Sequence, residues 1–235
     1  MLLLTRYLAQ ALLALFLLAT AELQAQEPPD QSAAPARRVI FELPAQQVDS
    51  HGVSRRETVE INLDQTALLL LDVWKNHERQ PDDGWLDAKQ TNIEQKIVPL
   101  LAFARARGLT IIHAPHRQEI ADEAAPLPGE FVCNPKNPDD SQQALLPYLR
   151  EHRITTLLYA GYTSNLCLLH RPVGILPMRA LGYQTILLRD CTVPYVPKTM
   201  GKPVDHADKQ ARINAVEPLW GMTITLEELR RALGE

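Results

Sequence analysis

Three residues of this chain stand where a nucleophile, a base and a cation would be useful: Cys167, Asp72 and Lys136. Cys167 lies in "YAGYTSNLCLLHRP", six residues after Gly161 closes an apolar run and where a helix is expected to begin. A helix start presents unpaired N–H groups and the positive end of the helix dipole, and both favour the reactive thiolate over the thiol. The competing reading is a small buried hydrophobe, the commonest fate of a free cysteine. Asp72 directly follows "ALLLL", so its carboxylate is desolvated and needs a cation or a proton donor beside it, unless it only caps a backbone turn. Lys136 sits in the Pro- and Asn-rich "CNPKNPDD" and gains interest from that company, since alone it reads as solvated surface charge. Arg171 is four positions beyond Cys167 and shares its face if the first turn is regular. Two roles are open to it, an anchor for a substrate carboxylate and a structural salt bridge.

These residues need elements to position them. From Thr66 onward, buried apolar runs alternate with amphipathic stretches, the pattern of a parallel sheet covered on both faces. The expected strands are "ALLLLDVW", "LTIIHAP", "EFVCN", "ITTLLYAG", "YQTILLRD" and "MTIT". After the first strand, Thr91 and Glu94 are spaced as a capping box for a helix carrying Ile93, Ile97, Leu100, Leu101 and Ala104, which Gly108 ends. Thr225 and Glu228 make the same pattern ahead of Leu226, Leu229 and Leu233. The helix after Cys167 contains Pro172, Gly174 and Pro177, so it is expected to be short, kinked or reset at Pro172. Upstream, "RVIFEL" and "SRRETVEINL" read as an N-terminal edge hairpin. In such sheets ligands bind outside the carboxyl ends of the strands, where connections switch sides. Asp72, Lys136 and Cys167 all fall there, and Trp74 and His77, just past Asp72, are candidates for pocket walls.

At 235 residues and 46% hydrophobic, the chain can bury one substantial core without needing a second domain. Its net charge of -4 comes from intermixed acids and bases with no basic stripe, which argues against a nucleic-acid partner. Residues 1–21 read as a secretory signal: Arg6 precedes an apolar core from Leu8 to Leu18, followed by Ala19, Thr20 and Ala21. That core falls well short of the roughly 20 residues that span a bilayer, so cleavage after Ala21 or Ala25 should leave no stable membrane span. The expected mature protein is exported, periplasmic or secreted, with a flexible tether at 22–38 and a folded domain at 39–235. With three cysteines, one thiol is free by arithmetic; Cys133 and Cys191 are expected to be non-catalytic, either buried or paired with each other.

The residues resemble the isochorismatase-like cysteine hydrolases, a family that includes nicotinamidases and N-carbamoyl amidohydrolases. Members show an aspartate ending the first strand, a lysine in a mid-chain loop and a "G-x-x-T-D-x-C" segment after the fourth strand. Here "LLLLDVW", "NPKNPDD" and "GYTSNLC" are similar to these, in the same order, and "RALGYQTILLRDCT" is similar to the passage into the fifth strand. The resemblance implies a Rossmann-like three-layer α/β sandwich around a six-stranded parallel sheet, with Asp72, Lys136 and Cys167 as a catalytic triad. It implies an oxyanion hole from the backbone N–H groups of Thr163 and Cys167, with a cis peptide between Tyr162 and Thr163. Tyr162 and Arg171 join Trp74 and His77 as candidate substrate contacts. Ser164 and Asn165 depart from the usual Thr and Asp. Nicotinamidases carry a divalent ion on an Asp-x-His pair, but that spacing is missing around His113 and His116, so neither metal nor other cofactor is expected. The expected partner is a small-molecule substrate, and the resemblance also allows a homo-oligomer. The implied function is hydrolysis of a small amide or related C–N bond through a thioester. The alternatives are a vinyl ether hydrolase of the isochorismatase type and a non-catalytic member that binds a metabolite or partner.

Overall fold

The computed structural model describes residues 38–48, 54–75, 85–115, 119–133, 137–195, 218–219 and 221–234, all within the unit Arg37–Glu235. The signal, most of the tether, His77, His116 and Lys136 lie outside the described residues.

Strands β3 (Thr66–Leu71) and β6 (Thr156–Tyr162) are buried along their whole length, as expected of central parallel strands with both faces covered. Alternation then sorts their side chains. Leu68, Leu70, Leu158 and Ala160 face one layer, where Ile93, Ile97, Leu100, Leu101 and Ala104 close the core together with Leu226 and Leu229. Ala67, Leu69, Leu71, Leu157 and Tyr159 face the other, against Leu145, Leu149, Leu168, Leu169, Ile175 and Met178. Each fully buried leucine contributes roughly 2 kcal/mol, so the two leucine-rich strands set the register strongly.

With β4 (Thr110–Ala114), β5 (Phe131–Val132), β7 (Gln184–Val193) and β8 (Met222–Ile224), these strands form a six-stranded parallel sheet in the order β5-β4-β3-β6-β7-β8. The chain leaves β3 towards β4 and β5, then returns to β6 and proceeds the other way. The switch point therefore lies between β3 and β6. Helices α1 (Trp85–Asn92) and α2 (Val98–Ala106), joined by a π-helical turn at Ile93–Ile97, cover one face. On the other are α3 (Ser141–Glu151), α4 (Cys167–His170) and α5 (Ile175–Ala180). Helix α6 (Leu226–Ala232) begins on the expected capping box, with the Thr225 hydroxyl accepting the Glu228 N–H and the Glu228 carboxylate accepting the Thr225 N–H.

One expectation needs revision. Thr91 does not open a helix: it lies within α1, which starts six residues earlier at Trp85, and the helical path runs on into α2. The expected N-terminal hairpin is β1 (Arg38–Val48) with β2 (Ser54–Asn62), an antiparallel two-stranded sheet of its own beside β8. Cys133 and Cys191 are both free and buried, which leaves only the buried half of that alternative. Among the described residues, no helix is long and apolar enough to cross a membrane.

Candidate active site

The register Leu71↔Gly161 brings the carboxyl ends of β3 and β6 side by side. Only glycine fits at this junction, because a Cβ on Gly161, at φ 116°, would lie 2.0 Å from the Leu71 carbonyl oxygen. Immediately past it, Asp72 turns the chain out of the sheet with φ 56° and is itself buried. After β6 the Tyr162–Thr163 peptide is cis, as the resemblance implied. The Thr163 carbonyl accepts the N–H groups of Leu166 and Leu168, folding the loop so that Cys167 opens α4.

There the Asp72 carboxylate and the Thr163 N–H both act on the Cys167 sulfur, the carboxylate favouring the thiol and the N–H the thiolate. The structure thus unites Asp72, Thr163 and Cys167. It differs from the sequence argument over the resting charge of the sulfur. Burial first, then the Asp72 carboxylate, push the thiol up to about 11, against smaller downward effects of Thr163 and Arg171. Helix α4 is one turn of four residues, too short for the dipole that was expected to favour thiolate. At rest the sulfur is therefore a thiol beside a carboxylate. It is still the accessible one of the three, half-buried where Cys133 and Cys191 are 1% and 0% exposed.

The cation on Asp72 within the described residues is Arg171. Its Nη1 donates to Asp72 Oδ1 and, at 3.1 Å, to the Ala114 carbonyl at the end of β4. Both partners of the pair are buried, with side chains 8% and 4% exposed. Of the two roles left open for Arg171, the structure shows the salt bridge.

The other candidates separate. Trp74 is half-buried two residues past Asp72, its backbone N–H bonded to the Asp72 carbonyl. Tyr162 is withdrawn into the core at 1% exposure; its hydroxyl donates to Asn92 Oδ1 at 2.9 Å and its ring meets Trp85 edge-on, which commits the side chain away from the site. His113 lies inside β4 and bonds Glu130 at 2.7 Å, in a network with Arg105. Burial holds its pKa below the usual value. Among the described residues no cluster of three or more His, Cys, Asp or Glu could hold a metal ion.

Two participants escaped the sequence reading. Asn165, the departure from the usual Asp, donates from Nδ2 to the Tyr195 carbonyl at 2.7 Å and accepts the Tyr195 N–H at 2.9 Å on Oδ1. An aspartate could only accept, so the amide is what lets one side chain bind both ends of that residue's backbone. Lys89, on α1, is fully buried, with its ammonium 2.7 Å from the Trp74 carbonyl and 3.2 Å from the centre of the Trp74 ring.

The strand order, and a polar cluster at its switch point, place the molecule among three-layer α/β enzymes. The profile described as the isochorismatase domain matches residues 66–228, and the chain belongs to the isochorismatase family of hydrolases. Solved structures carry the same architecture. A cysteine hydrolase from Pseudomonas syringae pv. phaseolicola 1448A superposes with a TM-score of 0.57 at 20% identity, over 74% of this chain and 94% of its own. An isochorismatase from Pseudomonas putida KT2440 gives 0.52 at 20% identity, over 69% and 89%. An isochorismatase family protein from Burkholderia thailandensis gives 0.51 at 16%, over 73% and 97%. At these identities the likeness establishes the fold. No curated protein matches the chain.

Proposed function

We propose that this hydrolase cleaves a small amide or related C–N bond with Cys167 as nucleophile, Asp72 as base and Lys136 as the third member of the centre. The observation that carries the reading is the pairing of Leu71 with Gly161, which brings the Asp72 carboxylate at the end of one strand to the Cys167 thiol just past the end of the next, where the carboxylate acts on the thiol proton. Because the thiol is held protonated, its proton must pass to Asp72 as sulfur attacks the carbonyl carbon. The oxyanion of the tetrahedral species takes the backbone N–H groups of Thr163 and Cys167. As the C–N bond breaks, Asp72 returns the proton to the leaving nitrogen, and a thioester remains. Water then gives a proton to Asp72 and adds to the thioester, and the departing sulfur recovers that proton. Every group in this sequence belongs to the chain, so the scheme calls for no cofactor. Lys136 would favour the charged forms of its two partners, and Trp74 and His77 would wall the pocket.

The test is a screen of small amides, ureido compounds and cyclic amides for ammonia release by the purified protein, with Cys167→Ala as control. Hydrolysis retained by a folded Cys167→Ala protein would remove thiol catalysis and favour vinyl ether chemistry. Export rests on the N-terminal sequence, which places the mature start at Glu22 or just after Ala25. Mass spectrometry of the exported form checks this, and an intact Met1 in a membrane pellet would contradict it.

A further inference from the structure

We propose that Arg171 is a positioning residue that holds the Asp72 carboxylate against the Cys167 thiol, a task that the family resemblance would give to Lys136. This rests on the reading of Cys167 as nucleophile and Asp72 as its base. The argument begins with the backbone. The Ala114 carbonyl at the end of β4 accepts both the Asp72 N–H, at 3.2 Å, and Arg171 Nη1, at 3.1 Å. The same Nη1 reaches Asp72 Oδ1. One nitrogen therefore ties the ends of two neighbouring strands to the carboxylate, and the carboxylate has little freedom to turn.

The guanidinium reaches this point from the nucleophile's own turn. The Arg171 N–H bonds the Cys167 carbonyl at 3.1 Å, and the Gly174 N–H bonds the Arg171 carbonyl at 2.6 Å. Gly174 packs so closely that a Cβ there would come within 2.9 Å of the Arg171 and Leu168 carbonyl oxygens and 3.1 Å of that of Cys167. Thiol and guanidinium are thus carried on one braced turn, with the base held between them. The remaining edge of the guanidinium, Nε and Nη2, is buried with no hydrogen-bond partner among the described residues. Its side-chain hydrogen bonds are directed at the base and at the strand end beside it. A planar, always-charged guanidinium holds one such nitrogen in a fixed direction, which a flexible ammonium does less well.

Iodoacetamide labelling of Cys167, followed by peptide mass spectrometry, tests this without a substrate. Arg171→Met and Arg171→Lys are each compared with the parent, and again with Asp72→Asn present. Melting curves identify the folded variants. With Asp72 in place, Arg171→Met should slow Cys167 labelling by about tenfold and Arg171→Lys by an intermediate factor; with Asp72→Asn, neither should slow it further. Where Arg171→Met does not fold, Arg171→Lys, which keeps the buried charge, carries the same comparison. Parent-like rates in the Arg171 variants overturn the proposal, as does equal slowing with and without Asp72, which would mean that Arg171 acts on the thiol or its turn directly. Failure of Cys167 to label ahead of Cys133 and Cys191 in the parent protein is a different outcome. It would overturn the nucleophile reading and this inference with it. When the screen supplies a substrate, Arg171→Lys should lower kcat with KM little changed. A rise in KM confined to acidic substrates would make Arg171 a carboxylate anchor.

Discussion

Replacing Lys89 by methionine isolates the cost of burying an amine beside the site. Burial, opposed by the charge of Glu123, pulls its pKa from 10.5 down to about 7. Above about pH 7 the folded protein therefore holds Lys89 neutral, whereas the unfolded chain keeps it charged up to 10.5. In that window the unfolded state binds more protons, so stability rises with pH and is lost again as pH falls through about 7. The drop from 10.5 to about 7 corresponds to about 5 kcal/mol at about 1.4 kcal/mol per pH unit. The Trp74 ring at 3.2 Å and the Trp74 carbonyl at 2.7 Å both favour the charged form. Allowing about 2 kcal/mol for them leaves about 3 kcal/mol. For a chain of this size that is roughly 6–12 °C in Tm. Thermal melts of parent and Lys89→Met protein at fixed ionic strength from pH 6 to pH 10 give the comparison, in which other titrating groups cancel. The parent should gain this much on the variant as pH rises. Parallel curves would refute the reasoning and show that the aromatic contact keeps the lysine charged.

Asp72→Asn and Cys167→Ala should each abolish nearly all hydrolysis, and the double variant should be no worse than either, because groups acting as a unit are grossly non-additive. Gly161→Ala drives a Cβ into the Leu71 carbonyl and should cost about 4 kcal/mol, read as a lower urea midpoint with unchanged slope. Glu130→Gln probes the opposite pH limb. Burial pushes that carboxyl up, but bonds from Arg105, His113 and the Leu127 N–H outweigh it and hold the pKa at about 2 against 4.5. The stability it contributes, about 3 kcal/mol, is present above pH 4.5 and lost as pH falls through about 2, so the variant's deficit at pH 7 should close in acid melts.

That Asp72 ends a buried strand and needs a cation was legible, because five apolar residues before a carboxylate allow few other environments. Which cation was not. Arg171 reaches it from 99 positions away, and whether a proline-broken turn faces inward depends on how Gly174 packs, which spacing does not encode. The two Thr-x-x-Glu patterns make the same point. At Thr225 the preceding strand ends at Ile224 and the box caps α6; at Thr91 the identical spacing sits inside a helix already begun at Trp85. Local grammar says what a segment is able to do at a terminus but not where the terminus lies. Lys89 reads as an ordinary surface lysine until Trp74 and Trp85 close over it. The charge state of Cys167 was misjudged for a related reason: the dipole argument presumed a helix whose length only the tertiary packing decides.

The pairing of β3 with β6 joins Thr66 to Thr156, so the two strands find each other across ninety residues of chain. Closing a loop of that size before any contact rewards it is a slow step in assembly. Asp72 and Cys167 belong to opposite sides of that closure, and neither half of the sheet contains both. The thiol therefore acquires its base only when the two halves have zipped together. On the proposed mechanism, a nascent chain that has finished its first three sheet strands is chemically silent, and hydrolytic competence arrives late in synthesis, in one step, with the topology itself.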